Sequence, residues 1–212
     1  MAICALVATS EFNGKHFQAA CEAGCFQSVV AVDGGYGHLR QLGIVPDIAL
    51  GDFDSLGYVP DDCPVQSYPS HKDASDMEIA LQYASDQGFD SAVIYGALGG
   101  RLDHTLANMQ LFARWAEDGF GIRAVGLEEE IFFLVGPAVY DLPPIERGTV
   151  SVFSLTPESR GVCEEGLEYP LDQAVLTYRT SLGLSNELVG AAARISVQEG
   201  TLAIFHPLAP GL

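Results

Sequence analysis

The sequence predicts a two-part α/β protein, with a parallel-sheet α/β domain followed by an antiparallel β-sandwich. Two observations carry this. Up to about residue 125, short apolar runs alternate with segments of helical period, which is the pattern of a parallel sheet with helices on its faces. From about residue 130 the helical period disappears, and short strands are separated by turn residues. Composition is consistent with both parts being folded. The 212 residues are 48% hydrophobic and only 18% charged, enough for a sizeable core.

The elements follow in order. Residues 2–7 read as a buried strand, and a helix capped at Asn13 follows with Phe17, Ala20, Cys21 and Gly24 on one face. Residues 28–32 form a second strand, 47–50 a short third after Pro46, and 65–68 a candidate fourth. A helix over 74–87 turns Met77, Ala80, Leu81 and Ala84 inward, and 91–95 is again a strand. A long helix over 101–117 is expected to bury Leu102, Leu106, Met109 and Phe112, and a strand at 122–125 closes the series. The second half offers strands at 131–135, 149–154, 161–167, 194–197 and 201–205, separated by Pro143-Pro144, Glu165-Gly166 and Glu199-Gly200. The boundary is expected near 126–130, giving domains 1–127 and 128–212.

The net charge of −18 argues against general nucleic-acid binding, because such a surface repels a phosphate backbone. A protein this acidic that handles an anionic substrate needs local compensation by metal ions or a few placed cations. Cys4, Cys21, Cys25, Cys63 and Cys163 are odd in number and show no C-x-x-C spacing, so they read as structural thiols. Residues 1–8 are apolar without a basic start, and no apolar run reaches membrane-spanning length. A soluble, cytoplasmic protein is expected, with no membrane partner.

Three acidic or glycine-rich motifs follow predicted strands: Asp33-Gly34-Gly35, Gly51-Asp52-Phe53-Asp54-Ser55, and Gly99-Gly100-Arg101-Leu102-Asp103-His104. The carboxyl ends of parallel strands are where open sheets bind ligands, so these loops can converge. Asp52 and Asp54, one residue apart, would share a side in an extended segment, and a divalent cation such as Mg²⁺ would relieve their repulsion. The competing reading is a turn in which each Asp bonds its own backbone. Asp73 suits an N-cap, whereas Asp76, one turn on, is a candidate third ligand. Lys72, one of only two lysines, reads equally as a salt-bridge partner or a phosphate clamp. Arg101 adds a planar fork for phosphate oxygens beside a glycine pair that opens a helix.

Together these runs resemble the thiamin pyrophosphokinase family. The likeness includes Gly43-Ile44-Val45-Pro46-Asp47, Lys72-Asp73-Ala74-Ser75-Asp76, Gly166-Leu167-Glu168-Tyr169-Pro170-Leu171 and Leu184-Ser185-Asn186-Glu187-Leu188, and it keeps its order nearly end to end. The resemblance implies an ATP- and Mg²⁺-binding α/β domain and a thiamin-binding sandwich. It also implies a homodimer with the active site at the subunit interface. The implied reaction transfers the pyrophosphoryl group of ATP to the hydroxyl of thiamin, releasing AMP. On this likeness Asp52, Asp54 and Asp76 hold the metal, Asp33, Lys72, Arg101 and Asp103 lie near phosphates or thiamin, and Ser185 and Asn186 help hold thiamin. The chain departs from the family at Ala8-Thr9-Ser10-Glu11, which lacks the glycine pair often found there, so no nucleotide contact is assigned to that loop. Alternatives are a pyrophosphokinase for another hydroxymethyl heterocycle such as a pterin, a non-catalytic nucleotide sensor, and a metal-dependent phosphatase. Ser185 and Asn186 favour thiamin, the full charged set disfavours a sensor, and a phosphatase leaves the second domain unexplained.

Overall fold

The computed structural model describes residues 1–69 and 73–208. Lys72, the candidate phosphate clamp, lies outside the described residues. The chain divides into two compact units, one made of Met1–Leu111 with Phe120–Leu127, the other of Phe112–Gly119 with the chain from Glu128 onward.

The first unit contains β1 (Ile3–Val7), α1 (Gly14–Glu22), β2 (Ser28–Val32), α2 (Gly35–Gln41), β3 (Ile48–Gly51), β4 (Val65–Ser67), α3 (Asp76–Asp86), β5 (Ser91–Tyr95), the start of α4 (Leu102–Glu117) and β6 (Gly121–Val125). Its six strands are parallel, in the order β6-β5-β1-β2-β3-β4. Chain order runs outward from β1 to β4 and then returns to place β5 on the other side of β1. The switch point therefore lies between β1 and β5, where a crevice opens beyond the strand ends. Cys4, Ala5, Leu6 and Val7 in the central strand are completely buried, as expected of a strand covered on both faces.

Several local choices differ from the sequence reading. α2 was not anticipated, because Gly35 and Gly37 lower helix propensity. Gly35 is nonetheless required: a β-carbon there would sit 1.8 Å from the Val7 carbonyl oxygen. α3 is capped by Ser75, whose side chain accepts from the Glu78 N–H, and not by Asp73. The Ser75-x-x-Glu78 spacing is the capping-box signature. α4 does not bury Leu102 and Leu106, which are 81% and 61% exposed. Its first turns instead face the preceding loop with polar groups. Thr105 Oγ1 donates to the Gly99 carbonyl and Asn108 Nδ2 to that of Ala97, and this rotation turns the leucines outward. Phe112, Ala113 and Trp115 supply the buried face further along.

The second unit contains β7 (Glu129–Val135), β8 (Ala138–Leu142), β9 (Thr149–Ser154), β10 (Glu158–Glu165), β11 (Leu171–Thr177), β12 (Asn186–Glu187), β13 (Ala193–Val197) and β14 (Thr201–Pro207). It is the expected antiparallel sandwich. The strands run β12-β9-β14-β7 in one layer and β11-β10-β13-β8 in the other. Alternate residues, among them Val150, Val152, Val162, Leu176, Ile195, Leu202 and Ile204, fill the space between the layers. β8, β11 and β12 escaped the sequence reading. β11 buries only Leu176, so it carries almost no apolar alternation. The last turns of α4 belong to this unit. Phe112 meets Phe133 edge-on at 5.8 Å, and Thr201 Oγ1 donates to Glu117 Oε1 over 2.6 Å.

Candidate active site

A cleft of about 580 Å³ opens in the first unit beyond the carboxyl ends of its strands, at the switch point. Asp33, Asp52, Asp54, Asp76 and Arg101 all line it. Three loops distant in sequence therefore converge, as the positions after β2, β3 and β5 predict.

Asp33 stands in the left-handed region at φ 49, between β2 and α2. Its Oδ2 accepts from Ser55 Oγ over 2.7 Å, and its Oδ1 is buried with no hydrogen bond among the described residues. Carboxylate oxygens of Asp33, Asp52 and Asp54 all lie within 4.8 Å of one another. Such proximity without a cation costs Coulomb repulsion, so the donor set and the unpartnered buried oxygen fit a hard divalent ion with oxygen ligands. Asp76, at the first residue of α3, lies on the same cleft wall but outside that group of three.

The D-x-D segment is not extended. Phe53 is buried and takes φ 59, and Asp52 Oδ1 accepts from the Asp54 N–H at 3.2 Å. Thus the backbone turn and the carboxylate cluster, weighed as alternatives from the sequence, occur together. The buried Phe53 ring anchors the turn, and the aspartates on either side remain in the cleft.

Arg101 and Asp103 form a two-point pair, Nε to Oδ1 at 3.1 Å and Nη2 to Oδ2 at 2.6 Å. This pairing, helped by the His104 N–H, lowers the Asp103 pKa to about 2. Asp103 is therefore a carboxylate at any ordinary pH, committed to orienting Arg101. The guanidinium Nη1 makes no hydrogen bond among the described residues and is available to an anion.

Ser185 and Asn186 lie in the second unit and differ sharply in environment. Ser185 is exposed, in the left-handed region at φ 59, with its N–H given to Ser151 Oγ. Asn186 is buried and fully engaged. Its Oδ1 accepts from the Tyr169 and Glu187 N–H groups, and its Nδ2 donates to the Tyr169 carbonyl and Glu164 Oε2. Asn186 holds the turn at Tyr169 in place, and Ser185 presents a side chain to solvent.

The sequence reading assigned no nucleotide contact to the β1 loop and gave no role to Asn108, yet Ala8, Thr9, Ser10 and Asn108 line the cleft, as does Ser55 of the D-x-D motif. The available signal for the first loop was its position at the end of the central strand.

The family described as "Thiamin pyrophosphokinase, catalytic domain" matches residues 24–124, and that described as "Thiamin pyrophosphokinase, vitamin B1 binding domain" matches residues 140–202. A thiamine pyrophosphokinase of Bacillus subtilis (strain 168) is 30% identical over 184 residues, 84% of this chain and 86% of that one. The crystal structure of thiamine pyrophosphokinase from Bacillus subtilis aligns with a TM-score of 0.79 at 24% identity, over 98% of this chain and 100% of that one. The thiamin pyrophosphokinase structure from Geobacillus thermodenitrificans aligns with a TM-score of 0.78 at 26% identity, over 99% of this chain and 100% of that one. Two successive domain matches in the right order, and a relative 30% identical over most of both lengths, establish that the chain belongs to the thiamin pyrophosphokinase family.

Proposed function

We propose that the chain is a thiamin pyrophosphokinase, which transfers the pyrophosphoryl group of ATP to the hydroxyl of thiamin and releases AMP. The observation that carries this reading is the convergence of Asp33, Asp52 and Asp54 within 4.8 Å, in a cleft that also receives Arg101. Attack of a primary alcohol on the β-phosphorus of ATP requires alignment and charge neutralisation more than covalent help. Asp52, Asp54 and Asp76, with Asp33 beside them, would hold Mg²⁺. Bound there, the ion would offset the charge of phosphate oxygens and orient them.

The chain's own residues do the rest. Arg101, oriented by Asp103, stabilises charge that grows on the transferred group. Lys72 is proposed to do the same from the segment before α3. Asp103 is unsuited to accept the thiamin proton, because its pairing with Arg101 keeps its pKa low. In the second unit Ser185 is the proposed thiamin contact, and Asn186 supports it by fixing the adjacent turn. The description "vitamin B1 binding domain" for the family matching this unit supports that division of labour. Acidic residues also suit the cationic thiazolium of thiamin.

No helix among the described residues is long and apolar enough to cross a membrane, and the five cysteines are unpaired. Unpaired thiols suit a reducing compartment, and we propose a cytoplasmic location. We also propose a homodimer whose sites draw on both chains. Mixing Asp54→Asn with Asn186→Ala protein should restore activity on subunit exchange if so. The central assay incubates the protein with ATP, Mg²⁺ and thiamin. Thiamin pyrophosphate formed together with AMP supports the reading, whereas ADP or free phosphate overturns it.

A further inference from the structure

The loop after β1 places two hydroxyls at the end of the central strand. They belong to Thr9 and Ser10. Their two hydroxyls have different fates. Ser10 is committed to the scaffold: its N–H donates to the Gly96 carbonyl over 2.7 Å, and its Oγ to that of Gly99 over 2.9 Å. Thr9 is exposed in the cleft, and its Oγ1 makes no hydrogen bond among the described residues.

The Thr9 backbone is nonetheless held firmly. His38 on α2 brings Nε2 to 3.1 Å from the Thr9 carbonyl oxygen and 3.0 Å from that of Ser10. Both partners are acceptors only, so this nitrogen must carry the hydrogen. The ring is fixed from its face by Phe12, with centroids 4.8 Å apart and planes 21° from parallel. A histidine thus clamps two successive carbonyls of a loop in which Thr9 lines the ligand cleft and its hydroxyl makes no hydrogen bond among the described residues.

The location of that donor identifies what it would meet. A β-carbon built on Gly34 would lie 2.6 Å from Ser55 Oγ and 2.7 Å and 2.9 Å from Thr9 Cγ2 and Oγ1, so the Thr9 and Ser55 side chains flank the same point. Ser55 Oγ already donates to Asp33 in the carboxylate cluster. A hydroxyl at the rim of a cation-binding carboxylate cluster faces whatever anion the cation brings. The acceptors there are phosphate oxygens, to which a hydroxyl is a good donor.

We propose that Thr9 donates a hydrogen bond to a phosphate oxygen of the nucleotide, and that His38 is the positioning residue that aims it. This inference rests on reading the cleft as the nucleotide site. The test is titration of each protein with a non-hydrolysable ATP analogue and Mg²⁺, with thiamin binding and thermal melting measured alongside.

Thr9→Val keeps the branched shape and removes the hydroxyl. It should weaken analogue binding about tenfold, which is about 1.4 kcal/mol, with melting and thiamin binding unchanged. Thr9→Ser should recover most of the affinity. His38→Ala should weaken analogue binding similarly, and His38→Gln, whose amide can still donate, should restore part of it. Analogue binding by Thr9→Val within about twofold of wild type would overturn the proposal, as would a loss confined to thiamin. Loss in His38→Ala without loss in Thr9→Val would reduce His38 to a structural role and overturn it equally. If the wild-type protein binds the analogue but forms no thiamin pyrophosphate, the activity assignment fails, and the Thr9→Val ratio still decides this inference. If it binds no analogue, both fall.

Discussion

Asn186 and Glu164 meet between the two layers of the sandwich, Nδ2 to Oε2 at 2.7 Å, and both side chains are buried. The second carboxylate oxygen, Glu164 Oε1, is buried with no hydrogen bond among the described residues. Desolvation pushes the Glu164 pKa up, and the Asn186 amide offsets only part of that shift.

The sign of the resulting pH dependence follows. A raised pKa means that folded Glu164 binds its proton more readily than the unfolded chain does. Its ionisation therefore costs stability as pH rises above the ordinary carboxylate value of 4.5, until the raised pKa is passed. Glu164→Gln removes that cost. The difference in melting temperature between Glu164→Gln and wild type should shift in favour of the variant between pH 4 and pH 7. A difference that stays flat across this range would show that Glu164 ionises freely in the folded protein.

Asn186 and Ser185 should separate stability from substrate affinity. Asn186→Ala strands the N–H and carbonyl of Tyr169, the Glu187 N–H and the Glu164 carboxyl. Leaving the buried Glu164 carboxyl without its partner costs about 1–3 kcal/mol, so a loss on the order of 2 kcal/mol is expected in urea unfolding. Ser185→Ala removes an exposed hydroxyl and should change stability by less than about 0.5 kcal/mol. Its KM for thiamin should rise. An unchanged KM would remove Ser185 from the thiamin site.

Asp52→Asn and Asp54→Asn should each lower the transfer rate on the order of a hundredfold at limiting Mg²⁺, with the fold retained. The basis is their shared position with Asp33 inside 4.8 Å. Part of the loss should be recovered at high Mg²⁺ if the defect is in ion binding. Equal rates of variant and wild type at limiting Mg²⁺ would show that these carboxylates hold no catalytic ion.

Arg101 and Asp103 make a spectroscopic prediction. The Asp103 carboxyl should titrate near pH 2 in the wild-type protein, and in Arg101→Gln it should return toward the ordinary value of 3.8. Carbon-detected NMR of the side chain reads this directly. The same variant should slow transfer more than it weakens thiamin binding, because the role proposed for Arg101 is with the phosphates. A midpoint near 2 in both proteins would assign the shift to the His104 N–H and not to the guanidinium.

The sequence by itself determined the main strands and helices of each half, though not α2, β8, β11 or β12, together with the change from a parallel to an antiparallel half and which loops could reach a common crevice. These are properties of local period and of a topology rule, and both are visible in one dimension. It also supplied the residue types at the site, because Asp33, Asp52, Asp54 and Arg101 all follow strands that share one sheet.

What only the tertiary structure decided were matters of rotation and partnership. The face that α4 buries depended on Thr105 and Asn108 bonding loop carbonyls, so Leu102 and Leu106 turned outward against their hydrophobicity. The helix after Asp33 depended on the Gly35 backbone approaching Val7, a contact that no propensity scale contains. Asp33 joined Asp52 and Asp54 because its backbone adopts a left-handed turn. Whether a polar side chain is spent on the scaffold or left for a ligand separates Ser10 from Thr9 and Asn186 from Ser185. Adjacent residues of similar chemistry cannot be told apart by type, because the partners that occupy one and spare the other arrive from distant parts of the chain.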